Sequence, residues 1–223
     1  MSPRPRRGSV ARPAAVARPR SRGTALGQTL LASSLIVLAL LLAGCGAKFD
    51  PTGPCTANGS SPGAYPDLET AVPTTFKGAK PTDLDSGRAC TPDGLGTLAG
   101  HGVKEMRFAG GTWSTGTDSG LSLAVFIDPT GPALTRDWIT EFYETGAKAG
   151  KKVTSLETTD YPIGAGVIGR RIDVLNDESY QSVVVWERNG QVVVALVADF
   201  IREIQTKDAH DLVVRAAVDA FGG

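Results

Sequence analysis

Two histidines, His101 and His210, and three cysteines, Cys45, Cys55 and Cys90, bound the chemistry this 223-residue chain can do near neutral pH. A hydrolase would need one of the histidines beside a carboxylate and a nucleophile within about 3 Å in the fold. No serine or cysteine precedes either histidine in a recognisable nucleophile setting. His101 lies between Gly100 and Gly102, and His210 falls in the first turn of an expected helix. Both are therefore expected as solvated turn residues, and no residue is assigned a catalytic role.

Two further patterns invite a chemical reading and then lose it. Gly164-Ala165-Gly166-Val167-Ile168-Gly169 spells G-x-G-x-x-G, followed by Arg170 and Arg171. A dinucleotide fingerprint needs a strand before it and a helix after it, so that a pyrophosphate meets a helix N-terminus. Here the glycines follow Pro162 and enter a strand, which predicts a hairpin entry with solvated arginines. Asp83-x-Asp85-x-Gly87 begins like a calcium loop, but the later ligands are missing. It reads as a polar surface loop, as do Asp177 and Glu178. Neither histidine lies at ligand spacing from the cysteines, so no metal and no cofactor is expected.

The N-terminus is more specific. Seven arginines lie between Arg4 and Arg22, with no acidic residue among them, and an uncharged stretch runs from Gly23 to Ala47. Its apolar heart, Leu30 to Leu42, would make a helix of only about 20 Å, short of the roughly 30 Å of bilayer hydrocarbon. The stretch closes on Leu42-Ala43-Gly44-Cys45, which resembles the lipobox of bacterial lipoprotein precursors. That resemblance implies a signal peptide over residues 1–44, and a Cys45 that takes a diacylglyceryl group on sulfur and becomes the first residue after cleavage. An uncleaved anchor is the rival reading. Twin-arginine export fits less well, because Gly8-Ser9 follow the Arg6-Arg7 pair and the apolar stretch lies far downstream.

A formal charge of zero hides an asymmetry. Without the seven arginines of the signal, 16 basic residues face all 23 acidic ones, so the mature chain sits near minus seven. Such a surface argues against nucleic acid and against electrostatic docking on anionic lipid. The partners expected are the membrane, through the lipid anchor, and an envelope protein or small apolar ligand. Cys55 and Cys90 form an even pair suited to an oxidising compartment, so a disulfide is expected; two buried free thiols are the alternative.

Residues 46–64 are rich in Gly, Pro and Ser and predict a flexible tether that follows the lipidated Cys45. Asn58-Gly59-Ser60 matches a glycosylation sequon and is read as chance. Residues 65–223 are one domain's worth of chain. A helical turn over Pro66–Val72, an extended piece at Thr75–Lys80 and a short helix over Asp93–Ala99 come first. Strands are expected at Val103–Trp113 and Leu121–Ile127. Thr135 should cap a helix with a stripe of Trp138, Ile139, Phe142, Tyr143 and Ala147, closed by Gly150 in the left-handed conformation. Strands follow at Lys152–Thr158, Ala165–Leu175 and Gln181–Glu187. Asn189-Gly190 signals a type I′ hairpin into Val192–Val197, whose continuous apolar run predicts burial on both faces. A final helix, Thr206 to Phe221, should bury Leu212, Val213, Ala216, Ala217 and Ala220 and expose Asp211, Arg215 and Asp219.

These elements predict a single α+β domain, a mostly antiparallel sheet with helices on both faces. The order is similar to an uncharacterised class of bacterial lipoprotein domains that enter through Leu-x-x-x-x-Pro, here Leu68 to Pro73, and end in an apolar hairpin and helix. It also resembles, more loosely, the PsbP and Mog1 fold, which implies an accessory or binding role without a shared catalytic site. The expectation is a non-enzymatic lipoprotein, lipid-anchored at the cell membrane and facing the extracytoplasmic side. An extracytoplasmic hydrolase and a purely structural envelope component are the alternatives.

Overall fold

Alternating and continuous apolar runs in the second half of the chain dictate most of the architecture. The computed structural model describes residues 49–221 apart from 132, 151 and 205, so the signal peptide, the lipobox and Cys45 lie outside the described residues. Among the described residues eight strands form one sheet: β1 (Gly59–Ser61), β2 (Asp83–Ala89), β3 (Met106–Ser114), β4 (Gly120–Ile127), β5 (Val153–Gly164), β6 (Val167–Asn176), β7 (Ser179–Arg188) and β8 (Gln191–Phe200). Their spatial order is β1-β2-β3-β4-β8-β7-β6-β5, and every neighbouring pair is antiparallel. Two four-stranded meanders thus meet where β4 pairs with β8.

Helices make the longer connections. The short helices α1 (Pro66–Glu69) and α2 (Pro92–Leu95) precede a 3-10 turn at Gly96–His101. The chain then runs from β4 through α3 (Arg136–Lys148) to the outer strand β5. After β8 come α4 (Ile201–Ile204) and α5 (Lys207–Ala220). Thr135 and Thr206 cap α3 and α5, their side chains accepting from the amides of Trp138 and Ala209. Asn189 and Gly190 both take positive φ, 52° and 76°, as a type I′ turn requires.

Period-2 alternation sorts the strand residues into two buried clusters. Leu121, Leu123, Val125, Val184, Trp186, Val193, Ala195 and Val197 share one with Leu68, Val72, Val214, Ala217, Val218 and Phe221. Ala124, Phe126, Val183, Val185, Val192 and Val194 share the other with Leu95, Leu98, Ile139 and Tyr143. The apolar run of β8 is accordingly buried on both sides.

Four local expectations change. Asp83–Ala89, expected as a loop, is a full strand paired with β3. It hides from periodicity because its inward residues are polar. Ser86 accepts from the Tyr65 amide at 2.7 Å and donates to Glu69 at 2.8 Å, and Arg88 is 5% exposed. Residues 49–64, expected as tether, are fastened to that strand. Gly59–Ser61 pairs with Arg88–Ser86, and Arg88 donates to the carbonyls of Gly53 (2.9 Å), Asp50 and Pro54 (both 3.1 Å). Gly87 lets the two strands meet, since a Cβ there would lie 2.3 Å from the Gly59 carbonyl oxygen. Gly150 does not supply a left-handed cap: Ala149 is the right-handed C-cap, and positive φ falls on Lys152 instead. Finally, α5 is turned part-way from its expected face. Ala217 is buried and Val213, Ala216 and Ala220 pack partly buried on the core as expected, but His210, Val214 and Val218 are buried with them, whereas Leu212 is 72% exposed.

Candidate functional site

The rotation of α5 brings a histidine inside. Asp173 on β6 stands opposite Ser182 on β7, which stands opposite Val197 on β8. Period 2 then places Arg171, Asp173, Ser182 and Asp199 on one face of three adjacent strands, and His210 from α5 lies among them. His210 Nδ1 is 2.7 Å from Asp199 Oδ2 and its Nε2 is 2.8 Å from Ser182 Oγ. Ser182 also donates to Asp173 Oδ1 and accepts from Arg171 Nη2 at 3.1 Å. Arg171 Nε donates to the same Asp173 oxygen at 2.8 Å, and its Nη2 donates to Asp211, which Lys207 holds at 3.0 and 3.1 Å.

His210 therefore has the carboxylate and the hydroxyl that a hydrolase would need, at hydrolase distances. Sequence reasoning misses this because the three residues come from separate strands and a helix, and because an apolar count along the helix leaves His210 in solvent. It is 1% exposed, as is Asp199, and Ser182 is 0% exposed.

Proton counting decides what the array can do. A serine hydroxyl has one hydrogen, and Ser182 gives it to Asp173, an ionised acceptor also held by Arg171. The remaining Oγ lone pairs accept, one from Arg171, so His210 Nε2 must donate to the other. The Nδ1–Asp199 contact then needs a second proton. The pair is either imidazolium with carboxylate or neutral imidazole with carboxylic acid, and is net neutral in both cases. A nucleophilic serine requires the opposite polarity, with Nε2 accepting the hydroxyl proton. The observed network instead ties β6, β7, β8 and α5 together and satisfies every buried partner.

Asp211 sits at its rim. Burial opposes ionisation of Asp211, but hydrogen bonds from Arg171 and Lys207 outweigh it and hold the carboxyl below its usual range. A depressed folded value contributes stability that is complete above the unfolded value of about 3.9 and is lost as pH falls through the folded one. Asp211→Asn should accordingly lower the urea midpoint at neutral pH and flatten the fall in stability below about pH 4. Equal slopes in the two proteins would remove Asp211 from the acid response.

The other sequence candidates do not join this cluster. His101 ends the 3-10 turn, partly exposed, stacked on Trp138 with centroids 4.6 Å apart, its Nε2 2.7 Å from Glu141. Gly164-Ala165-Gly166 forms the β5–β6 turn, with no helix after it. Arg170 pairs with Asp160 at 2.7 Å, whereas Arg171, expected in solvent, is 7% exposed. Asp85 accepts from Ser60 at 2.8 Å, and burial raises its carboxyl above the usual range. Among the described residues no group of three or more His, Cys, Asp and Glu side chains could hold a metal.

Cys55 and Cys90 are joined, with Cα atoms 5.4 Å apart. Beside them the Asn58 amide donates to Thr91 Oγ1 at 2.9 Å and its oxygen accepts from the Cys90 and Thr91 amides. The sequon nitrogen is thus already engaged.

One open groove of about 330 Å³ is lined by Arg136, Asp137, Thr140, Glu141, Glu144 and Arg170. Its charges are compensated locally, Arg136 by Asp137 at 2.9 Å, Arg170 by Asp160 and Glu141 by His101. Among the described residues, no helix is long and apolar enough to cross a membrane. A scan against protein-family models finds no match to the chain, and neither does a search of curated proteins.

Proposed function

We propose that the chain is an exported lipoprotein, anchored at the extracytoplasmic face of the cell membrane through a diacylglyceryl group on Cys45. The observation that carries this reading is the Cys55–Cys90 disulfide, a bond that persists in oxidising compartments and is rare in the cytosol. It agrees with a basic, then apolar, N-terminus that ends on a lipobox-like Leu42-Ala43-Gly44-Cys45.

The domain's role is non-enzymatic binding of an envelope partner. Supporting this, the one Asp–His–Ser array among the described residues is sealed and polarised against nucleophilic attack. A protein partner suits the surface better than an acyl chain, because the groove is lined by charged side chains. In the same proposal α3 and α5 cover opposite faces of the sheet. Support comes from Ile139 and Tyr143 clustering with the odd-even partners of the strand residues that meet Val214 and Val218.

Metabolic labelling with an alkyne fatty acid tests the anchor. The expected result is label on the processed chain that begins at Cys45, in the membrane fraction, lost in Cys45→Ala. Unlabelled protein recovered from the cytosol would overturn the proposal.

A further inference from the structure

We infer that the corner of the domain built from residues 49–61 and the Cys90–Leu95 turn lies against the lipid headgroups, held there by a leash of only four residue steps. The inference rests on lipidation of Cys45.

Composition suggests a long tether, but the fastening of the chain begins at Phe49. The Arg88 guanidinium lies 5.7 Å from the centre of the Phe49 ring. That ring also packs so closely on Gly59 that a Cβ there would meet it at 2.5 Å. Arg88 next holds the carbonyls of Asp50, Gly53 and Pro54, the disulfide fixes Cys55, Asn58 grips Cys90 and Thr91, and Gly59–Ser61 enters the sheet. No stretch of the chain from 49 to 61 is left to act as a spacer.

Four residue steps separate Cys45 from Phe49. Fully extended, they reach at most about 14 Å. A flexible tether reaching Tyr65 would have a root-mean-square span of about 25 Å and a far greater maximum. The β5 edge of the sheet lies seven strand spacings from β1, about 34 Å away. A body pinned at one corner by so short a leash keeps that corner near the bilayer while its other surfaces average farther out. Charge does not create this approach: the mature chain is near minus seven, and Arg88 is buried with its two terminal nitrogens turned to backbone carbonyls. Proximity should therefore be insensitive to salt.

Nuclear magnetic resonance of the lipidated mature chain in phosphatidylcholine nanodiscs, with and without a gadolinium-headgroup lipid, tests the geometry. Amides of Asp50, Thr52, Gly53 and Asp93 should be the most strongly broadened, at low and high salt alike. Those of Gly116 and Asp177, at the opposite ends of the strands, should persist. Inserting twelve Gly and Ser residues between Lys48 and Phe49 doubles the root-mean-square span, from about 11 to about 22 Å, and should relieve the broadening. Uniform broadening, or broadening strongest at Gly116 and Asp177, overturns the close corner while leaving lipidation intact. Mass spectrometry that finds Cys45 unmodified in protein purified from the producing cells overturns the lipidation reading and the corner with it.

Discussion

Replacing His210 by alanine should lower the unfolding free energy by about 3–5 kcal/mol, the cost of stripping one partner from a buried ionic or charge-assisted pair. Asp199, 1% exposed, would lose the donor at 2.7 Å, and Ser182 would lose the Nε2 proton it accepts at 2.8 Å. At roughly 2–4 °C per kcal/mol for a domain of this size, the melting midpoint should fall by about 6–20 °C. The companion variant is the informative one. His210→Leu with Asp199→Leu removes both halves of the pair and leaves no stranded charge between them, so it should cost less than either single change. Urea unfolding of the four proteins completes the cycle. A double variant as unstable as the sum of the two singles would mean that His210 and Asp199 are not coupled, and the proton-counting account of the network would fall.

The same residues show where sequence reasoning stops. The C-terminal meander is legible because most of what its strands bury is carbon: Val192 to Val197 of β8 are all valine, alanine or leucine, and Asn189-Gly190 fixes the hairpin that delivers them. The helix Arg136–Lys148 is legible for a related reason, with a capping Thr135 and an apolar stripe at helical spacing. Strand β2 is not, because what it turns inward is Ser86 and Arg88: Ser86 bonds Tyr65 and Glu69, and the two terminal nitrogens of Arg88 reach carbonyls far away in sequence while its buried Nε finds no partner. Periodicity measures hydrophobicity and is blind to a polar residue buried by its partners. His210 fails in the same way. Counting apolar residues rotates α5 toward Leu212. The observed rotation is set by Asp199 and Ser182, two side chains that no helical periodicity could anticipate. The Asp–His–Ser array was therefore invisible in the sequence, and only its hydrogen-bond directions separate it from a catalytic one.

Removing the disulfide should be the other large effect. Cys55→Ser combined with Cys90→Ser frees a loop with a sequence separation of 35 residues. On the chain-entropy account that costs about 4 kcal/mol, or a drop of about 8–16 °C in the melting midpoint. Both cysteines are partly exposed, so reductant should reach the wild-type bond and reproduce the variant's midpoint. The denaturant slope carries a separate signature. A cross-linked unfolded chain exposes less surface than a free one, so losing the bond should lower the midpoint and steepen the slope together. The native segment has other holds. Arg88 still reaches the carbonyls of Asp50, Gly53 and Pro54, and Asn58 still bonds Cys90 and Thr91 through their backbones. Reduction should therefore act mainly on the unfolded state, leaving the native fold and the short leash in place. Coincident unfolding curves with and without reductant would show that the bond does not form. Export would then rest on the basic and apolar N-terminus alone, since the oxidised pair speaks more strongly than composition for an extracytoplasmic compartment.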